Sequence, residues 1–159
     1  MSTLVAIAIT TGILSGIWGW VAVSLGLLSW AGFLGCTAYF ASPKDGVKGL
    51  LLSLATTMSG VFWAMVIIHL SSEVGIEIIG YVITAVVAFF MCFQAKQAWF
   101  SFIPGTFIGS CATFAAGGDW QIVVPSLVLG VFFGYSMKAS GLWLQQKLAK
   151  TVRTLAPVE

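Results

Sequence analysis

Charged side chains are too rare in this sequence to cover the surface of a water-soluble domain. They make up 8% of the 159 residues, and hydrophobic side chains make up 59%, whereas a soluble domain carries about 25% charged residues. A chain with this composition would expose large apolar patches in water and aggregate. We therefore predict an integral membrane protein, with the lipid bilayer as its main solvent.

Six apolar segments, divided by breakers and short polar stretches, are predicted to cross the membrane as helices. A spanning helix needs about 20 apolar residues, so this chain has room for six of them and short loops. The second and fifth segments are short for a full span. The predicted fold class is all-α, a six-span transmembrane helical bundle with segments at 4–25, 27–41, 49–70, 76–93, 99–116 and 120–144.

The charges support this layout and give it an orientation. If the amino terminus lies in the cytoplasm, the inner loops, the tail and the segment ends beside them hold every basic residue, while the outer loops and the segment ends beside them hold the acids Glu73, Glu77 and Asp119. Short loops with Lys and Arg stay on the cytoplasmic side, so we predict an N-in, C-in topology. The basic residues are Lys44, Lys48, Lys96, Lys138, Lys147, Lys150 and Arg153.

The sequence also contains an internal repeat. A shift of 74 residues, without gaps, aligns residues 30–63 with residues 104–137 and gives seven identities. We therefore divide the chain into a first three-helix repeat (1–74), a second (75–144) and a cytoplasmic basic tail (145–159). Because each repeat has an odd number of spans, the second must be inverted in the membrane, as in many transporters. The identities pair Phe33, Gly35, Ala38, Phe40, Ala41, Asp45 and Gly60 with Phe107, Gly109, Ala112, Phe114, Ala115, Asp119 and Gly134.

The short second and fifth segments are the predicted functional elements, because sites in inverted-repeat folds lie where the repeats meet. Small residues four apart, Ala31 and Gly35 in one segment and Gly105 and Gly109 in the other, predict close helix packing. Pro104 predicts a break in the fifth segment, because it lacks a backbone donor. Two interpretations stay open: tight packing alone, or interrupted helices beside a narrow polar path.

A path between these segments would be lined by hydroxyl groups and narrowed by aromatic side chains. The alternative for each hydroxyl is a hydrogen bond to its own helix backbone, and for each phenylalanine it is packing against lipid or core. The candidate lining residues are Thr37, Tyr39, Thr106, Ser110 and Thr113, and the candidate constrictions are Phe33, Phe40, Phe107 and Phe114.

Two further glycine pairs predict close contacts. Gly12 and Gly16 form a GxxxG motif in the first segment, and Gly130 and Gly134 form another in the sixth. Each motif serves either a contact within the chain or a subunit interface.

The predicted function is a small-solute channel or facilitator that acts as a homo-oligomer in the lipid bilayer. No Asp, Glu, Lys, Arg or His lies in the middle of a predicted span, which disfavours proton-coupled transport. The alternatives are a secondary transporter of a small metabolite and a scaffold or partner subunit without transport. The sequence has no GxSxG, HExxH or P-loop motif, no metal-binding cluster and no continuous basic patch. We therefore expect no enzyme, metal, cofactor or nucleic-acid partner.

Three stretches resemble a known family. They are ITTGILSGIWGWVAVSLGLLSWAGFLGCTAYF, GYVITAVVAFFMC with QAK, and PGTFIGSCATFA with SGLWL, and they are similar to small enterobacterial inner-membrane proteins of the YcdZ type. That family is a domain of unknown function, and the resemblance covers nearly the whole chain. It implies a multi-pass protein of the inner membrane of a Gram-negative bacterium, and it carries no substrate or catalytic residue with it.

Overall fold

Six α-helices make up most of the computed structural model, which describes residues 2–74 and 77–155, with side chains for 2–73 and 78–151. Within these ranges there is no β-strand, so the all-α prediction is confirmed. Two short 3₁₀ turns, Gln94–Lys96 and Ala98–Phe100, connect α4 to α5. The helices are α1 (Thr3–Ser24), α2 (Ser29–Phe40), α3 (Gly46–Val74), α4 (Glu77–Phe93), α5 (Ile103–Ala115) and α6 (Trp120–Leu155).

Helix length divides the six elements into two classes. By length and composition, α1, α3, α6 and the stretch Ile78–Lys96, which includes α4, are long and apolar enough to cross a membrane. Helices α2 and α5 have 12 and 13 residues, or about 20 Å at 1.5 Å per residue, whereas the hydrocarbon layer is about 30 Å thick. Helix α6 runs on to Leu155, so the described part of the predicted tail continues the sixth helix.

Local sequence explains where several helices begin and end. The Ser2 hydroxyl accepts a hydrogen bond from the Val5 amide at 3.4 Å and caps α1, which satisfies a donor that the helix leaves open. Helix α5 ends at Ala115, and Gly117 just beyond it has a φ of 64°, a conformation that glycine adopts without strain. Pro104 lies in the first turn of α5, where a missing backbone donor is harmless. Pro104 therefore lies in the first turn of α5, and helical structure within the predicted segment 99–116 is interrupted just before it, at Ser101 and Phe102.

Each short helix packs mainly on one long helix that is distant in sequence. The most extensive contacts join α2 to α6 and α5 to α3, followed by those of α1 with α6 and of α4 with α3. Trp18 on α1 is fully buried; its Nε1 donates a hydrogen bond to the Ser29 carbonyl at 3.0 Å, and its ring lies 5.3 Å from that of Phe133. Each long helix thus packs against one short helix: α5 packs on α3, and α2 packs on α6.

Three basic residues lie near the end of the bundle at which α3 begins: Lys44, Lys48 and Lys138. Lys138 on α6 forms an ion pair with Asp45 in the α2–α3 loop. Lys44 and Lys48 line the same pocket as Trp99 from the α4–α5 connection. At the opposite end, His69 and Trp120 share another groove. The acids Glu73, near the end of α3, and Asp119, just before α6, lie at this second end, so the two ends differ in charge.

Candidate functional site

Helices α2 and α5 bury matching faces. Each helix has six buried residues, and a shift of 74 positions converts one set into the other without exception. On α2 the buried residues are Ala31, Gly32, Gly35, Cys36, Ala38 and Tyr39. On α5 they are Gly105, Thr106, Gly109, Ser110, Ala112 and Thr113.

The glycines on these faces bring helix backbones together. A β-carbon at Gly109 would lie closer than 3.0 Å to the Thr57 backbone on α3, and one at Gly35 would approach the Leu127 carbonyl oxygen on α6 to 2.5 Å. Real β-carbons essentially never come closer than 3.0 Å to another heavy atom. Both faces are therefore filled by the backbone of a neighbouring helix.

The long helices contribute glycines to the same contacts. A β-carbon at Gly60 on α3 would meet the Thr106 backbone, and one at Gly134 on α6 would meet the Cys36 backbone. Gly130 likewise faces the Gly32 backbone, so the second GxxxG motif serves a contact within the chain. By contrast, a β-carbon at Gly12 or Gly16 would meet no atom within 4 Å.

Residues predicted to line a path between α2 and α5 lie in several different places. Tyr39, Thr106, Ser110 and Thr113 are buried, in faces that pack mainly on α6 and α3. Thr37 is exposed and donates a hydrogen bond to its own helix, at the Phe33 carbonyl. The predicted lining residues therefore do not share one surface. The four candidate constrictions are 38% to 43% exposed: Phe33, Phe40, Phe107 and Phe114.

Several hydroxyl groups in α2, α3 and α5 donate hydrogen bonds to their own helix backbone, and two of the five candidate lining residues, Thr37 and Thr113, are among them. Thr113 donates to the Gly109 carbonyl at 2.9 Å, and Thr57 donates to the Ser53 carbonyl at 2.7 Å. Ser53 is different, because it donates to the Ala38 carbonyl across the α2–α3 contact at 3.2 Å. Hydroxyls used in this way stabilise the bundle and offer little to a solute.

The side chain of Gln94 forms a polar cluster that connects three parts of the chain. Its Oε1 accepts hydrogen bonds from the Ser59 hydroxyl at 2.8 Å and from Trp63 Nε1 at 3.0 Å. Its Nε2 donates to the Thr106 hydroxyl at 3.3 Å. The indole N–H only donates, so the bond to Trp63 fixes which end of the carboxamide is the oxygen. We call Gln94, Ser59, Trp63 and Thr106 the Gln94 cluster.

Helix α4 places the Gln94 cluster beside the middle of α3. Trp63 stacks on Phe90 near the end of α4, with ring centroids 6.2 Å apart. Gln94 follows immediately and reaches Ser59, close to the midpoint of Gly46–Val74. A polar amide thus lies halfway along a long apolar helix.

A groove opens beside the Gln94 cluster. It has a volume of about 600 Å³ and is mostly apolar, with the Gln94 carboxamide and the Ser59 hydroxyl as polar groups. A carboxamide has two N–H donors; one binds Thr106, and the structure gives the other no partner among the described residues. The groove is lined by Ala55, Met58, Ser59, Phe62, Trp63, Gln94 and Phe100. It can therefore offer hydrogen bonds but no charge to a small neutral molecule.

Sequence reasoning missed this cluster because it placed Gln94 in a loop. The fourth segment was expected to end at residue 93, and QAK was assigned to the inner side. The available signal was helix length. Helix α4 has 17 residues and is about 25 Å long, whereas α3 beside it is longer, with 29 residues. A polar residue at the end of the shorter helix must therefore lie partway along the longer one.

The part of the chain that the structure describes offers no ready metal site. Among the side chains that the structure describes (2–73 and 78–151), no three His, Cys, Asp or Glu residues are grouped so that they could hold a metal ion. The Gln94 cluster offers hydrogen-bonding groups beside an apolar surface.

Comparison with known proteins confirms the resemblance found in the sequence. A family model described as "Protein of unknown function (DUF1097)" matches residues 8–142. The chain is 70% identical over 152 residues to "Inner membrane protein YcdZ" of Escherichia coli (strain K12), covering 95% of this chain and 93% of the relative. A protein of the same name from Salmonella typhimurium is 67% identical, with 92% of each chain covered. "Uncharacterized protein YahC" of Escherichia coli is 28% identical, with 94% of this chain and 98% of the relative covered. No solved structure matches the chain.

Proposed function

This chain belongs to the DUF1097 family and is a multi-pass protein of the bacterial inner membrane, and from this premise we propose that it is a non-enzymatic facilitator for small neutral solutes. The Gln94 cluster is the observation that carries the proposal. Polar side chains at membrane depth are costly and mark solute pathways. This cluster offers hydrogen bonds without charge, which suits passive movement of a neutral molecule.

The proposed architecture is a pair of inverted three-helix repeats. Under the shift of 74 residues, the α2–α6 contact corresponds to the α5–α3 contact, and the α1–α6 contact corresponds to the α4–α3 contact. Gly35 and Gly109 make equivalent close approaches, and so do Gly60 and Gly134. An axis that exchanges the two halves accounts for these pairs, and such an axis is typical of transporter folds.

The proposed path runs along the flank of α3 and α5 instead of between α2 and α5. It passes the groove beside the Gln94 cluster, where Phe62 is 60% exposed. One side of this groove is open at the surface of the bundle. A second copy of the chain would close it, so the facilitator is proposed to act as a homo-oligomer. The open face of α1 at Gly12 and Gly16 is the proposed subunit contact.

Flux into vesicles tests the function directly. Liposomes that contain the full chain are expected to swell in gradients of glycerol or urea faster than protein-free liposomes. The rate should follow the solute gradient and stay unchanged when a pH gradient is imposed. Flux that saturates and requires an ion gradient would instead favour the secondary transporter.

A scaffold without transport is the second candidate function. The observation that favours it is the filled interface between the short helices and α3 and α6. If liposomes containing the full chain swell no faster than empty ones for any small solute, the facilitator proposal fails and the scaffold remains.

The proposed six-span, N-in and C-in orientation makes a separate prediction. The bundle end with Lys48 should face the cytoplasm and the end with Asp119 the periplasm, because basic loops stay inside. In intact spheroplasts of a strain that makes the cysteine variants, Asp119→Cys is expected to react with a membrane-impermeant maleimide. Lys48→Cys should react only after the membrane is permeabilised. The reverse pattern would contradict the proposed orientation, and the parent chain gives the background from its own three cysteines.

A further inference from the structure

We propose that the basic end of the bundle holds a binding site for the headgroup of an anionic phospholipid. The site is the pocket of about 300 Å³ between the start of α3 and the α4–α5 connection, which we call the lysine pocket. This inference is independent of the facilitator proposal, because it concerns a different surface and makes no statement about flux. The lysine pocket is lined by Lys44, Lys48, Leu51, Leu52, Ala98 and Trp99.

The charge of the lysine pocket is positive and uncompensated. Among the residues that the structure describes, its charged lining residues are Lys44 and Lys48. The nearest acid in sequence, Asp45, forms its ion pair with Lys138 on α6, so its charge is already matched by a third cation. Helix α3 begins at Gly46, and the positive end of its dipole adds to the two ammonium groups. A phosphodiester is the complementary partner.

The other walls of the lysine pocket are apolar, and they favour a phospholipid over a free phosphate ion as the ligand. Trp99 is 63% exposed and Leu51 is 45% exposed, so an apolar surface continues from the pocket onto the outside of the bundle. A free phosphate ion would use only the ammonium groups. A phospholipid would contact both the ammonium groups and the apolar walls, with its phosphate at the lysines and its acyl chain along Leu51 and Trp99. Basic pockets at the ends of transmembrane helices bind anionic lipids in this way, and tryptophan is common at the same depth.

Native mass spectrometry of the full chain in detergent tests the proposal. Phosphatidylglycerol is expected to remain bound in preference to phosphatidylcholine. A lysine near an anionic lipid surface changes affinity by about fivefold, so the double variant Lys44→Gln, Lys48→Gln should bind phosphatidylglycerol about 25-fold more weakly than the parent chain. Inorganic phosphate, added in excess, is expected to leave the bound lipid in place.

Two control variants keep the test decisive. Lys147→Gln, Lys150→Gln removes the same charge from the end of α6, away from the lysine pocket, and should keep the lipid. Lys44→Arg, Lys48→Arg keeps the charge in the pocket and should also keep the lipid, which excludes general misfolding as the cause of a loss. Equal loss in both glutamine variants, or equal retention in both, would overturn the proposal. Displacement of the lipid by inorganic phosphate would also overturn it, because it would identify a site for soluble anions.

Discussion

Replacing Gly109 with alanine is expected to destabilise the bundle, although alanine is ordinarily the better helix residue by about 1 kcal/mol. The new β-carbon would lie closer than 3.0 Å to the Thr57 backbone on α3. Backbone atoms cannot move aside as a flexible side chain can, so α5 and α3 would have to separate and lose contact along their length. Overpacking of this kind costs about 1–3 kcal/mol, and a free energy of unfolding measured by titration with dodecyl sulfate would report it.

Matched glycine variants make the result specific. Gly80→Ala adds the same methyl group on α4, where the nearest atom, Ser71 Oγ, would lie at an ordinary contact distance of 3.6 Å, and it should be neutral or slightly stabilising. Gly35→Ala on α2 should lose about as much stability as Gly109→Ala, since the two positions are equivalent under the proposed inversion. If Gly109→Ala is as stable as Gly80→Ala, the packing of α5 on α3 is wrong. If Gly109→Ala is destabilising but Gly35→Ala is not, the equivalence of the two halves is wrong.

The positions of the helices follow from the sequence because a membrane imposes a simple rule. Backbone polar groups in hydrocarbon must be satisfied within the helix, so each apolar segment between breakers becomes a helix. The first segment was predicted at 4–25 and forms Thr3–Ser24, and the second was predicted at 27–41 and forms Ser29–Phe40. Length alone did not reveal where α6 ends, because its polar carboxyl-terminal part continues as helix to Leu155.

The partners of the short helices could not be predicted from the same pattern. Small residues such as Gly35 and Gly109 indicate that another backbone comes close, but they do not say which helix supplies it. The choice depends on small residues elsewhere that face the same contact, such as Gly60 and Gly134. Those two glycines align under the repeat, and this was the available signal that α3 and α6 are the partners of α5 and α2.

The Gln94 cluster could not be predicted because the sequence does not show how far along α3 the end of α4 lies. Gln94 follows an apolar run and precedes Lys96, so by sequence it belongs to a loop. Its neighbour Trp63 lies 31 positions away along the chain, on a helix that continues well past the end of α4. Only the difference in length between two antiparallel helices brings the carboxamide to the middle of α3.

Replacing Gln94 with leucine is expected to reduce solute flux to the level of protein-free liposomes. Leucine has a similar size but no hydrogen-bonding group, so the proposed path would lose its main polar contact. The change also leaves the Ser59 hydroxyl and the Trp63 indole without their acceptor, at a cost of about 1–3 kcal/mol in stability for each such group when it is buried. Gln97→Leu is the matched control, because that glutamine is exposed in the same connection and lies outside the groove lining; its flux should equal that of the parent chain.

A purely structural role for Gln94 predicts a different pattern, and two further variants separate the roles. Ser59→Ala and Trp63→Phe each remove one hydrogen bond to Gln94 Oε1 and keep the carboxamide in the groove. If Gln94 acts on the solute, these variants lose stability but keep most of their flux, while Gln94→Leu loses its flux. If Gln94 only holds α3, α4 and α5 together, the loss of flux in each of the three variants should be proportional to its loss of unfolding free energy. Flux and the free energy of unfolding are measured on the same variants. A proportional fall in the two would show that Gln94 does not act on the solute, even if the parent chain conducts.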